Sequence, residues 1–274
     1  MYIGGARGTG PWVHDSAREF GGDSTSILIT GEAGEQVVID AGSGLERIAP
    51  RVHADAQPVL MAFTHYHLDH VCGLPSFPWL YRGEARLTFI GPDVESGSIG
   101  DVLARWVQAP WWPVGWEQTG AQKSCCALPS PGEALEWGGL RIRCCAVPHA
   151  GGCVAYRIDE PARGSGLVIA TDLEWAASSA SQKNDFLSLC ASPGPADVLV
   201  FDAQFLPEEY PSFVGWGHST WHDALDIHKQ TGVERILLTH HGRHADATLC
   251  GREKHIQAVM PMMEFARQGM EWEI

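Results

Sequence analysis

No stretch of this sequence is apolar for long enough to span a bilayer. The N-terminus, Met1-Tyr2-Ile3-Gly4-Gly5, lacks the basic residues and apolar segment of a secretory leader. Both absences lead us to expect a cytoplasmic protein with no membrane partner. Basic residues are scarce: 19 Lys and Arg stand against 33 Asp and Glu, a formal net charge of −14. A long nucleic acid is therefore disfavoured as the main partner, because gripping a duplex takes basic patches. A small anionic substrate is not excluded, since bound metal cations would dominate the local field. No Cys-x-x-Cys pair occurs, which argues against a zinc ribbon. The eight cysteines are expected to be reduced packing thiols. Cys144 and Cys145, neighbours on a strand, should divide between the core and the outer side. There is also no low-complexity linker, solenoid-length repeat or block of like charge, so residues 1–274 read as one domain.

What is present is a concentration of metal-binding side chains. His65-Tyr66-His67-Leu68-Asp69-His70 follows Val59-Leu60-Met61-Ala62-Phe63-Thr64, an apolar run expected to be a buried strand. Imidazole nitrogen and carboxylate oxygen suit borderline divalent ions, zinc above all. On a loop leaving a strand, His65 and His67 can face one ion while Asp69 and His70 turn towards a second. Further strands end in the same residue types. Leu140–Val147 leads to His149 in a tight turn, and Leu167–Ala170 leads to Asp172. Val198–Phe201 leads to Asp202, and Arg235–Thr239 leads to His240-His241. A single strand-terminal Asp usually caps a turn, but chance would not deal ligand types to the same end of so many strands.

Elsewhere the reading is coarser. Ile27–Thr30 and Val37–Asp40 form a hairpin around Gly31 to Glu35. Asp40 caps a helix starting near Leu45 on its own reading, while a resemblance set out below implies that it orients a histidine of the His65–His70 stretch. Residues 100–107 read as a helix, and 246–268 as a helix interrupted at Pro261. The segment Ala109-Pro110-Trp111-Trp112-Pro113-Val114-Gly115-Trp116 is expected to plug into the core, with a lid over a pocket as the alternative. Thr220 and Asp223 have capping-box spacing before a helix over 221–230. His218 therefore precedes a helix N-terminus, an end that suits an anion such as phosphate.

The His-x-His-x-Asp-His hexapeptide after a strand resembles the signature of the metallo-β-lactamase superfamily. That resemblance implies a four-layer αββα sandwich. It also implies a dinuclear centre in which His65, His67 and His149 hold one ion, Asp69, His70 and His240 hold the other, and Asp172 bridges. The choice of His240 over His241 rests on the resemblance. The ions would be zinc, with manganese or iron as alternatives, and would acidify a shared water. Asp202-Ala203-Gln204, Pro207-Glu208-Glu209-Tyr210, Gly217-His218-Ser219-Thr220 and the later Asp246 resemble the phosphodiesterase-type branch, which includes ribonuclease Z and cyclic-nucleotide phosphodiesterases. In that branch the histidine before Ser-Thr contacts phosphate and can protonate the leaving oxygen, a role that falls on His218, with Asp69 orienting the water. The chain shows no obvious long arm for gripping tRNA. The expectation is therefore hydrolysis of a small phosphodiester such as a cyclic nucleotide. The alternatives are a lactone, thioester or β-lactam hydrolase, a tRNA 3′-processing ribonuclease, and a nucleotide sensor without turnover. Arg243 and His244 are candidates for anion contacts, and similarity to relatives suggests a homodimer.

Overall fold

The computed structural model describes residues 1–274. Its strands are β1 (Tyr2–Gly5), β2 (Ser26–Thr30), β3 (Gln36–Ile39), β4 (Val59–Ala62), β5 (Arg86–Ile90), β6 (Gln122–Cys125), β7 (Leu135–Trp137), β8 (Leu140–Val147), β9 (Cys153–Glu160), β10 (Ser165–Ala170), β11 (Val198–Asp202), β12 (Arg235–Thr239) and β13 (Met263–Phe265). The helices are α1 (Leu45–Ile48), α2 (Leu68–Val71), α3 (Ile99–Trp106), α4 (Ala180–Ala191), α5 (Trp221–Thr231) and α6 (Asp246–Val259). No helix is long and apolar enough to cross a membrane.

The strands form two sheets, ordered β1-β2-β3-β4-β5-β6 and β13-β12-β11-β10-β9-β8-β7. Successive side chains on a strand point to opposite faces, and the apolar residues sort accordingly. Val37, Ile39, Leu60 and Ala62 from one sheet meet Leu167, Ile169, Val198, Val200 and Leu237 from the other in the layer between the sheets. Their neighbours Val38, Val59, Met61, Leu87 and Phe89 face outward onto Leu45, Ile48 and Leu103 of α1 and α3. On the far side Val168, Ala170, Leu199, Phe201, Ile236 and Leu238 face Phe186, Ile227 and Leu249 of α4, α5 and α6. Strands covered on both faces are apolar throughout, as parallel strands are in α/β proteins. The result is the expected four-layer sandwich of the metallo-β-lactamase type.

The run β3-β4-β5-β6 is parallel, and so is β10-β11-β12-β13. The carboxyl ends of β3, β4, β10, β11 and β12 reach one edge of the sandwich, the position where open α/β sheets place ligands. The turn between β8 and β9 joins them, because the Val154 amide donates to the Thr64 carbonyl across the two sheets at 3.0 Å.

Two expectations change. Residues 246–268 are helical only to Val259; after Pro261 the chain becomes β13, whose Met263 and Phe265 are buried while Glu264 between them is less so. Ile236 and Leu238 pair with Met263 and Phe265. The tryptophan-rich segment plugs into the core through Trp116, with half-buried Trp112 packed against the same cluster, whereas Trp111 is 68% exposed. The Trp112 indole N–H donates to the Tyr81 hydroxyl at 2.6 Å, on the surface. The eight cysteines are all free. Cys144 packs against the inter-sheet layer and Cys145 against the outer helices, as strand alternation requires.

Candidate metal centre

The histidine-rich stretch leaves β4 extended as far as His67, then winds into α2, where the His70 amide donates to the His67 carbonyl at 2.9 Å. Asp69 and His70 therefore lie in a helical turn rather than on the loop expected from sequence. That winding separates their direction from that of His65 and His67.

Hydrogen-bond accounting fixes which nitrogens face inward. Asp40 accepts from the Thr64 amide at 2.7 Å, the Thr64 hydroxyl at 2.8 Å and His70 Nδ1 at 2.8 Å. With its proton committed to Asp40, the Thr64 oxygen can only accept from His65 Nδ1, 3.0 Å away. His149 Nδ1 lies 2.8 Å from the Gly217 carbonyl, which can only accept. Nδ1 of His65, His70 and His149 therefore carries a proton, and each Nε2 keeps its lone pair for the interior. Asp40 does not cap α1, whose N-cap Gly44 makes no side-chain bond; it orients His70.

The inward atoms converge. His149 Nε2 lies 3.0 Å from His67 Nδ1. His240 Nε2 is 3.0 Å from Asp172 Oδ1 and 3.4 Å from Asp69 Oδ2. His70 Nε2 is 3.2 Å from Asp172 Oδ2 and 3.5 Å from Asp69 Oδ2. Both His65 Nε2 and His149 Nε2 stand 3.9 Å from Asp172 Oδ1. Yet Nε2 of His65, His70 and His240 and Oδ2 of Asp172 are buried without a hydrogen-bond partner. Unpaired buried polar atoms are costly, and several together need an explanation. Ligand atoms about 2.0–2.2 Å from a zinc ion sit roughly 3.3 Å from one another at tetrahedral angles. The donor set and its spacing thus fit divalent metal, in the groups His65–His67–His149, His65–His70–Asp172 and Asp69–His70–His240.

The charges agree with that fit. Burial, reinforced for His65 by neighbouring histidines, holds His65, His67 and His149 below the ordinary imidazole pKa, the neutral form a metal needs. Burial also opposes a proton on His70 and His240, but Asp172 outweighs it, with Asp40 assisting at His70, so His70 is raised and His240 is pushed up to about 10. Asp69 and Asp172, despite burial, are held well below the usual carboxylate range chiefly by His240 and His70. The carboxylates thus demand positive charge at this point.

His240 turns inward at a backbone φ of +59°, whereas His241 Nε2 bonds the Ala266 carbonyl at 2.9 Å and packs against Phe20 and Phe265. Only glycine fits at position 8, where a Cβ would meet the His240 ring at 2.3 Å. His218 stacks on His240, 4.7 Å between ring centres. Its Nδ1 lies 2.8 Å from Asp202 Oδ2. The N-terminus of α5 just beyond it is closed by its own capping box, in which the Thr220 amide and hydroxyl both donate to Asp223. That end is therefore less available to an anion than the sequence suggested. Arg243 is exposed, and the His244 carbonyl accepts from the buried Arg7 at 3.0 Å.

Three supporting groups escaped the sequence reading, and a fourth, Asp202, stood out at its strand end without a role. The Thr9 amide donates to Asp69 Oδ2 at 2.8 Å from sixty residues away. Arg7 ties the first loop to Gly242 and His244 behind His240. Asp202, at the end of its strand as the sequence showed, holds His218. Buried Glu174 accepts from the Gly215 and Gly217 amides at 2.7 and 2.8 Å and so fixes the loop whose carbonyl orients His149.

Residues 35–241 match the family model described as a beta-lactamase superfamily domain. Among curated proteins, the chain is 25% identical over 292 residues to ribonuclease Z from Methanopyrus kandleri, covering 96% of this chain and 94% of that one. Among solved structures, the metallo-β-lactamase fold protein YhfI from Bacillus subtilis superposes with a TM-score of 0.73 at 20% identity, covering 100% of this chain and 98% of that one. A diphosphatase of the PhnP family gives a TM-score of 0.69 at 17% identity, covering 100% and 96%.

Proposed function

Since the chain belongs to the beta-lactamase superfamily, within which it is a metallo-β-lactamase-fold hydrolase, we propose that it is a dinuclear metal-dependent phosphodiesterase acting on a small phosphodiester such as a cyclic nucleotide. In this reading His65, His67 and His149 would hold one divalent ion and Asp69, His70 and His240 a second, with Asp172 available to both. Zinc is the ion these donors suit best. Bound there, such ions make water a stronger acid and neutralise charge building on phosphoryl oxygens.

The chain's own groups supply the rest. Asp69, steadied by the Thr9 amide, orients the attacking water. Asp202 accepts the Nδ1 proton of His218, which leaves Nε2 as the atom that carries a proton to the leaving oxygen. The buried Asp202–His218 pair stacked over His240 is the single observation that carries this assignment. A lactone or β-lactam also has a leaving atom that takes a proton, so substrate turnover, and not this pair alone, separates those reactions from phosphodiester hydrolysis.

A second reading, endonucleolytic cleavage of a tRNA precursor, is favoured by the chain-long likeness to ribonuclease Z. The formal charge of −14 opposes it. One experiment separates the readings: metal analysis of the purified protein, followed by turnover of 2′,3′- and 3′,5′-cyclic nucleotides, bis(p-nitrophenyl) phosphate, an unprocessed tRNA transcript and nitrocefin. We expect bound divalent metal and turnover of the small diesters. Turnover confined to the tRNA transcript would move the chain to the second reading. Turnover of nitrocefin alone would remove both.

A further inference from the structure

Seven large hydrophobic side chains are exposed in this molecule, and three of them, Leu68, Val214 and Trp216, belong to the metal loop or the four residues before His218. Trp216 is the most unusual. It is 63% exposed, yet the glycines on either side of it are fixed by hydrogen bonds. Gly215 and Gly217 both adopt left-handed backbone, with φ of +87° and +86°, a conformation glycine alone adopts without cost. Each donates its amide to a different oxygen of Glu174, and the Tyr210 hydroxyl adds a third bond at 2.7 Å. A Cβ at position 217 would strike His149 Nδ1 at 2.4 Å, so the turn is pressed against the centre.

A row of rings joins Trp216 to the proposed acid. The Trp216 ring stands edge-on to Phe213 at 5.3 Å, Phe213 stacks flat on Phe205 at 4.5 Å, and Phe205 meets His218 at 5.8 Å. A buried glutamate and two left-handed glycines are therefore committed to presenting one indole to solvent beside the site. A ring held in this way next to the groups proposed to do the chemistry is placed to touch what they act on. A flat, sequence-tolerant π face is what a nucleobase stacks on.

We propose that Trp216 is the stacking platform for the base of a nucleotide substrate, so that the preferred diester carries a nucleobase. The inference rests on the phosphodiesterase reading and narrows its substrate class. The probes are adenosine 5′-monophosphate and ribose 5-phosphate, which share a phosphate and a ribose and differ in the base. Their affinities for the metal-loaded protein are measured by titration calorimetry for wild type, Trp216→Ala and Trp216→Phe. Base stacking of the usual strength gives a preference for the base-bearing compound of about 5- to 150-fold. Trp216→Ala should erase it and leave the affinity for ribose 5-phosphate unchanged, while Trp216→Phe, which keeps an aromatic face and controls for folding, should retain most of it. Equal affinity for the two probes in wild type, or a preference that survives Trp216→Ala, overturns the platform and leaves the phosphodiesterase reading standing. A variant that keeps the preference but changes the sedimentation coefficient makes Trp216 a contact between copies of the chain, and also overturns the platform. Binding of neither probe overturns the phosphodiesterase reading, and the platform with it.

Discussion

The two ends of the sandwich are built on opposite terms. At the end where the parallel strands finish, three residues other than glycine hold left-handed backbone, namely Thr9, Asp40 and His240, and they are the only ones in the chain that do. Such backbone costs about 1–3 kcal/mol per residue and persists where the surroundings over-determine it. The same end carries the unpaired buried atoms of His65, His70, Asp172 and His240. At the opposite end the backbone groups are paired. The tail from Gly269 to Trp272 runs along β1, with Met1 and Trp272 exchanging backbone bonds and Ile3 doing the same with Met270 and Gly269. A cavity of 890 Å³ lies at that end, but the arginines on its rim are matched by acids, Arg51 by Glu271 and Arg163 by Glu273. Volume alone is thus a poor guide to chemistry. The strained, unsatisfied end is where the chain's chemistry belongs, and the relaxed end is where its stability is made.

Breaking the first end should therefore abolish turnover. The largest effect is expected from Asp172→Ala, because this carboxylate touches both proposed ion positions. Turnover should fall by more than the ~10²–10⁴ that one proton-transfer group supplies, and bound metal, measured by plasma mass spectrometry, should fall with it. Full metal content in this variant would falsify the bridging role. Next comes His218→Ala. Its loss should lie within ~10²–10⁴, and metal content should match wild type; a loss of metal instead would mean that His218 is a ligand. Asp40→Asn is milder. It removes the charge behind His70 while keeping the shape, and such supporting groups are worth about 10–100-fold in metal affinity. Competition against a chelator would measure the change, and unaltered affinity would mean that Thr64 and the fold alone orient the ring.

The legible part of the site was the part written in strand ends. His65, Asp172 and His240 follow apolar runs, so their type and position could be read together. The choice between His240 and His241 could not, because both follow β12 and only the +59° backbone turn at His240 decides which faces in. Thr9, Arg7 and Glu174 act through contacts between segments distant in sequence, and no local pattern encodes those. Residues 246–268 read as a helix interrupted at Pro261, whereas the chain beyond Pro261 forms β13. What ends that helix is tertiary: the Ala266 amide donates to the Leu238 carbonyl, and the Phe265 amide to the buried Glu253.

The smallest effect on turnover, and the sharpest test of the contrast, comes from the relaxed end. Trp272 packs against the layer between the sheets, and the Arg235 guanidinium sits 4.2 Å above its ring. Truncating a fully buried tryptophan costs about 3–5 kcal/mol; this one is half-buried, so Trp272→Ala should cost about 2 kcal/mol. For a chain of this size that is a fall in Tm of roughly 4–8 °C. The backbone bonds of the tail do not use the side chain and should survive, which keeps the register of β1 and hence the position of Thr9 beyond it. kcat/KM at 25 °C should therefore equal that of wild type within about twofold, since a change of 0.4 kcal/mol or less at the site is all that such a ratio allows. A large loss of turnover at a temperature where the variant is fully folded would mean that the tail and the strained end are mechanically coupled, and that stability and chemistry are not divided between the two ends of this sandwich.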